Sequence, residues 1–156
     1  MEPGRGQNHH EVHTARHRRT GKLCCIKKID LQKLANRSEA VRSIQEAELE
    51  SIQDNRIDLR NIIKLYKVVE TPQYVYIIFE HLPNGSLKAH MNKVGGYTAK
   101  VVPFIIRQLL YAISHVHSHN KIHRDVKLEN ILVDSIDPEL GPRIKLSNFG
   151  FAKELK

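Results

Sequence analysis

The sequence predicts an α+β fold, with strand-like segments concentrated in its first half and helix in its second. Two runs rich in β-branched and aromatic residues, "LCCIKKID" and "YVYIIFE", read as strands. A later stretch places Ile105, Leu109, Ile113 and Val116 at helical spacing and reads as one long helix. The 156 residues, 40% hydrophobic and 27% charged, suit a single globular domain. A compact fold of that size buries roughly 70% of its unfolded surface.

Taken in order, the first strand follows the turn signal Thr20-Gly21 and spans "KLCCIKKID". Good helix formers then run from Ser38 to about Asn55. On a helical wheel Val41, Ile44 and Ile52 share one face, with Glu48 in its middle and Glu50 on the wet side. A lone carboxylate on an apolar stripe is unfavourable unless a cation meets it, so Glu48 needs a partner. Two further strands, "IIKLYKVVE" and "YVYIIFE", flank the turn-prone "TPQ". Pro83, Asn84 and Gly85 break the pattern, and Ser86 can cap a short helix. The long helix starts near Thr98 and tolerates Pro103 because that residue falls early in it. An irregular segment follows His119, then a short strand "ILVD", an insert "SIDPELGPR", and a last strand "IKLSN".

Composition narrows the function classes. A net charge of +8 admits nucleic acid, anionic membrane or polyphosphate partners. The polar, histidine-rich N-terminus has no apolar signal-peptide core. The most apolar stretch, "VVPFIIRQLLYAI", is interrupted by Arg107 and too short to span a bilayer. The two cysteines, Cys24 and Cys25, are adjacent, so on a strand they point to opposite faces and bridge poorly. These features predict a soluble, cytoplasmic protein with reduced thiols and no membrane partner.

The segment "HVHSHNKIHRDVKLEN" holds His115, His117, His119 and His123 followed by closely spaced charges. A metal site, a basic binding strip and a catalytic loop are the three readings. Helical ligand pairs need spacings of three or four residues, and His119 and His123 fall across the expected end of the helix. No Cys, Asp or Glu ligand set accompanies them. A nucleic-acid role would rest on charge alone, with aromatics at only 6% and no recognition motif.

The third reading has the most support. "HRDVKLEN" resembles the catalytic loop of the eukaryotic protein kinase family, H-R-D-x-x-x-x-N, with His123, Arg124, Asp125 and Asn130 in register. Lys127, two residues after the aspartate, is the serine/threonine form. "TGKLCCIKKI" resembles the V-A-I-K strand, "YVYIIFEHLPNGSL" the hinge, and "KLSNFGFAK" the strand ending in D-F-G. The resemblance implies a bilobal fold. Residues 1–11 would be a variable basic N-terminus with a degenerate glycine loop, 12–81 an antiparallel-sheet small lobe with one helix, and 82–156 part of a helical large lobe.

The implied activity is ATP-dependent phosphorylation of serine or threonine hydroxyls, with Mg2+ as cofactor and a protein as substrate. Catalysis of that transfer is mostly positioning and charge neutralisation. Lys27 would hold the nucleotide phosphates and Glu48 would orient it; gapless spacing would pick Glu50 instead, but the continuous apolar face through Ile52 favours Glu48. Asp125 would accept or orient the substrate hydroxyl, Lys127 would neutralise the moving phosphoryl group, and Asn130 would bind magnesium. Val12, Cys25 and Leu132 would sandwich adenine, with Phe79 behind it and the backbones of Glu80 and Leu82 along its edge. His123, Phe149, Leu65 and Ile52 would stack as an internal spine.

Three departures from the family pattern stand against full activity. Asn148 replaces the D-F-G aspartate, the second metal position; losing about 3–4 kcal/mol of transition-state stabilisation there slows transfer roughly 10²–10³-fold. Gly4 and Gly6 stand one residue too far from Val12, and His10 takes the third glycine's place. The chain stops at Lys156, just past "NFG", which reads as a kinase domain truncated before its activation segment and leaves the Ile105/Leu109/Ile113 face uncovered. The alternative is a pseudokinase, a nucleotide- or protein-binding scaffold without useful catalysis.

Overall fold

The computed structural model describes residues 10–32 and 60–154, which fall into two compact units. The first contains described residues 10–32 and 64–81, and the second contains 60–63 and 82–154. The helix expected over 38–55, with Glu48, Glu50 and Ile52, lies outside the described residues, as do Gly4 and Gly6.

The first unit is a four-stranded antiparallel sheet in the order β1-β2-β4-β3, made of β1 (His10–Arg16), β2 (Leu23–Asp30), β3 (Leu65–Glu70) and β4 (Tyr74–Glu80). Its alternation matches the pattern of β4, where Val75 and Ile77 are fully buried and their neighbours are not. Sequence reading finds no strand before Thr20, yet β1 pairs with β2 along its whole length. The turn explains how. Gly21, at φ 69°, donates its N–H to the His17 carbonyl at 2.8 Å, and His17 N–H donates to Lys22 at 2.8 Å. A left-handed φ there suits glycine. Ladder hydrogen bonds rather than burial hold β1, so it carries no apolar signal.

The turn between β3 and β4 is closed by Thr71, whose hydroxyl donates to the Tyr74 carbonyl and accepts from Tyr74 N–H, both at 2.9 Å. The expected strand "IIKLYKVVE" divides after Ile63: only its later part forms β3. Ile62 and Ile63 belong to the second unit, where Ile63 N–H donates to the Leu146 carbonyl at 2.9 Å.

The second unit begins with α1 (Leu87–Val94), capped as expected by Ser86, whose hydroxyl accepts from Ala89 N–H at 3.2 Å. Then come α2 (Val102–Ser118), β5 (Lys121–Ile122), a single 3-10 turn over Leu128–Asn130, β6 (Ile131–Asp137), β7 (Gly141–Leu146) and β8 (Lys153–Glu154). β6 pairs with β7, and β5 with β8, in separate antiparallel pairs. The supposed insert "SIDPELGPR" is mostly hairpin: β6 extends through Asp137, whose carboxylate accepts from Glu139 and Leu140 N–H at 3.1 Å and so folds the turn. Gly141, at φ 100°, passes so close to α2 that a Cβ would stand 2.6 Å from Val101 Cγ1.

The face expected to stand uncovered, Ile105/Leu109/Ile113, does not: Ile105 is buried and the other two are half-buried. Ile105, Gln108, Ala112 and Val116 are buried, and α2 packs against β7. The exposed apolar side chains are Val102, Ile106, Leu110 and Tyr111, whereas Leu109 and Ile113 are half-buried. Gln108 joins the buried side. Its amide donates to the Phe104 carbonyl at 3.2 Å and the Pro142 carbonyl at 3.0 Å. Its oxygen accepts from Ile144 N–H at 3.0 Å and from Asn61 Nδ2 at 3.2 Å. A polar side chain thus sits on the buried side of α2 because four partners satisfy it.

Candidate functional site

The second unit assembles the catalytic-loop residues from two places in the chain. The loop after β5 brings His123 to Lys127, the 3-10 turn brings Asn130, and the end of β7 brings Ser147, Asn148 and Phe149. Ser147 ties these pieces together: its hydroxyl donates to the Asn130 carbonyl at 2.8 Å, and its N–H donates to the same oxygen at 2.9 Å. Ser147 lies outside the motif positions that the sequence marks. The signal available was a small hydroxyl residue directly before the N-F-G turn, a type that readily bonds nearby backbone.

His123 is buried at 4% exposure, and its ring meets that of Phe149 edge-on with centroids 4.7 Å apart. Asp125 N–H donates to His123 Nδ1 at 3.2 Å, which makes Nδ1 the acceptor and leaves the proton on Nε2. Nε2 then donates to the Ser147 carbonyl at 3.0 Å. Burial lowers the imidazole's pKa, and Lys127 adds to that, against opposing contributions from the Ser147 hydrogen bond and Asp125. A neutral ring with one fixed tautomer therefore clamps the loop to the end of β7. Arg124, at φ 65°, donates from Nε to the Phe151 carbonyl.

Asp125 is held at one oxygen. Lys127 Nζ lies 2.9 Å from Oδ2, and Asn130 Nδ2 donates to that same Oδ2 and to the Asp125 carbonyl, both at 2.7 Å. Oδ1 receives no hydrogen bond from the described residues. Burial alone would push this carboxyl up; the hydrogen bonds from Lys127 and Asn130, with the charges of Lys127 and His123, outweigh it and hold the group below the ordinary carboxylate range. The group is thus ionised at neutral pH, with an oxygen available to take a proton or orient a hydroxyl.

The predicted metal residues, Asn130 and Asn148, are in contact. Asn130 uses its amino group on two acceptor-only atoms of Asp125, so its carbonyl oxygen must be the atom facing Asn148. Asn148 Nδ2 donates to that oxygen at 3.0 Å. As arranged, the pair does not fit a divalent cation. Hard cations need converging oxygens, and here one amide presents an N–H to the oxygen that would have to serve as ligand.

In the first unit, the β1/β2/β4 register places Val12, Lys27 and Ile77 in one row and Thr14, Cys25 and Phe79 in the next. Strand alternation puts both rows on one face, so four of the predicted nucleotide residues share it. Lys27 and Phe79 are both buried at 8% exposure, whereas Val12 is exposed at 62%. Burial, with Cys24 adding to it, raises the Cys25 thiol's pKa. Glu80 N–H donates to the Lys64 carbonyl at 2.9 Å and its carboxylate accepts from Lys64 N–H at 2.7 Å. Leu82 and Leu132 belong to the second unit, where Leu132 lies on β6. Glu48 lies outside the described residues.

Comparison with known proteins agrees with this geometry. The family described as "Protein kinase domain" matches residues 3–156. The chain is 32% identical over 143 residues to serine/threonine-protein kinase D2 of Rattus norvegicus, covering 91% of this chain and 16% of that protein. It is 35% identical over 147 residues to serine/threonine-protein kinase SIK2 of Gallus gallus, covering 93% and 17%. It is 32% identical over 144 residues to serine/threonine-protein kinase ATG1a of Arabidopsis thaliana, covering 92% and 22%. The chain thus spans about a fifth or less of the length of these relatives. A family match over nearly the whole chain, together with a catalytic loop whose His123, Asp125, Lys127 and Asn130 are joined as described, makes this chain a member of the eukaryotic protein kinase family, by family a serine/threonine-type transferase.

Proposed function

We propose that this domain transfers the γ-phosphoryl group of ATP to a serine or threonine hydroxyl of a protein, at a rate held down by Asn148. The observation that carries this reading is the asymmetric hold on Asp125, with Oδ2 engaged by Lys127 and Asn130 and Oδ1 free of hydrogen bonds from the described residues. Oδ1 takes or orients the hydroxyl proton, the substrate oxygen attacks the γ-phosphorus, the bond to the β,γ-bridging oxygen breaks, and ADP leaves. Lys127 offsets negative charge beside the transferred group. By the family pattern Lys27 would serve the nucleotide phosphates, with Glu48 as its orienting residue; Val12, Cys25, Phe79 and the Glu80 backbone are the adenine residues that pattern assigns to the first unit, and Leu82 and Leu132 those it assigns to the second. The family generally works with ATP and Mg2+, and the cation would screen the phosphates.

A second reading, a nucleotide- or protein-binding scaffold without useful catalysis, is favoured by one observation, the Asn148–Asn130 hydrogen bond. The two readings separate in one assay. Phosphoryl transfer to seryl or threonyl peptides should exceed that of Asp125→Ala if the kinase reading holds. Equal transfer in both proteins, with nucleotide still bound, gives the domain to the scaffold reading. The free thiols of Cys24 and Cys25 are compatible with a cytoplasmic site of action.

A further inference from the structure

We propose that Asn148 converts the metal position of this loop into a self-satisfied amide pair, so that the domain takes nucleotide without a divalent cation at Asn130 and Asn148. The inference rests on the kinase-type reading of the loop and deepens it.

The chain of hydrogen bonds is complete without any ion. Asn148 donates to Asn130, Asn130 donates to Asp125, and Lys127 sits on the same carboxylate oxygen. Each orientation is forced by the next. Asp125 has only acceptor atoms to offer, which fixes the Asn130 amide, which in turn fixes the Asn148 amide. An aspartate at 148 could not close this chain, because two acceptors would face each other and an ion or proton would be needed between them. An asparagine closes it with a direct N–H···O bond.

The charge balance points the same way. Asp125 is offset by Lys127, and the two asparagines are neutral, so the four side chains sum to no net charge. A dication meets no excess negative charge and must displace a formed hydrogen bond to reach Asn130 Oδ1. Metal-free nucleotide phosphate meets no surplus carboxylate that would repel it. The backbone supports the arrangement too. Asn148 lies at φ 63°, a left-handed conformation that asparagine adopts more readily than most side chains, and Ser147 beside it is anchored by two bonds to the Asn130 carbonyl.

The test uses the whole chain with two probes, Mn2+ alone and ATP with either EDTA or Mg2+. In the unmodified protein, Mn2+ should leave the side-chain amide NMR signals of Asn130 and Asn148 unbroadened. ATP affinity should agree within about twofold between EDTA and Mg2+. In Asn148→Asp, Mn2+ should broaden the Asn130 signal, and Mg2+ should tighten ATP at least about tenfold. Selective broadening of both amides in the unmodified protein, or tenfold tightening of its ATP by Mg2+, overturns the proposal. The Mn2+ experiment needs neither the variant nor nucleotide. A chain that bound no ATP at all would remove the nucleotide reading, while its Mn2+ response would still decide the amide pair.

Discussion

Replacing Gln108 with leucine removes the polar link between α2 and the strand that carries the Ser147–Asn148–Phe149 turn. Gln108 is 8% exposed and close to leucine in volume, so the substitution tests polarity rather than size. Two buried groups lose their partner: Ile144 N–H, which donates to the glutamine oxygen at 3.0 Å, and the Pro142 carbonyl, which accepts from its amide at 3.0 Å. Asn61 keeps its 2.8 Å bond to the Ile144 carbonyl, and the Phe104 carbonyl lies on the α2 ladder. Each orphaned group costs about 1–3 kcal/mol, and burying a leucine there recovers roughly 1–2 kcal/mol. Midway through those ranges the net loss is about 2–3 kcal/mol, read as a lower urea midpoint with an unchanged slope. Because β7 leads directly into the catalytic turn, the amide of Ser147 should also exchange faster with solvent. A Gln108→Leu protein as stable as the original, with unchanged Ser147 exchange, would refute the reasoning.

Two further outcomes follow from the loop's electrostatics. In Lys127→Ala the Asp125 carboxyl should titrate at higher pH than in the parent, since it loses a hydrogen bond and a neighbouring charge; carboxyl carbon NMR reads this directly, and an unmoved titration would deny Lys127 its role. His123 has a lowered pKa in the folded state, so the unfolded chain binds more protons between that value and the ordinary histidine range. Its contribution to stability is therefore present above the ordinary range and lost as pH falls towards the folded value. His123→Phe should flatten that part of the pH–stability curve, and an unaltered slope would show that the ring is not the group responsible.

Much of the fold could be read from local pattern, and the failures have physical causes. The alternation of "YVYIIFE" marks β4 because one face is buried and the other is not. Ser86 is legible as a cap because capping is a local interaction. β1 is not legible: it is mostly polar, its Val12 is exposed, and its pairing is with β2, across a turn. Gln108 is not legible as a buried residue of α2, because hydropathy rejects it and its satisfaction depends on Asn61, Pro142 and Ile144, far away in sequence. At the site, the spacing of His123, Asp125, Lys127 and Asn130 identifies the loop, and Asn148 is visible as a departure. That the Asn148 amide donates to Asn130 could not be read, since it depends on how Asp125 orients the neighbouring side chain. Glu48 lies outside the described residues.

The most direct test of the account compares phosphoryl transfer from ATP to a seryl peptide by the full-length protein, Asn148→Asp, and Asn148→Asp combined with Asp125→Ala. The account holds that Asp125 is already positioned for transfer and that Asn148 limits the rate. Asn148→Asp should therefore run at least about tenfold faster than the parent, towards the roughly 10²–10³-fold gain expected for that carboxylate. The added Asp125→Ala should abolish the gain. An unchanged rate in Asn148→Asp, or a gain that survives loss of Asp125, would contradict it.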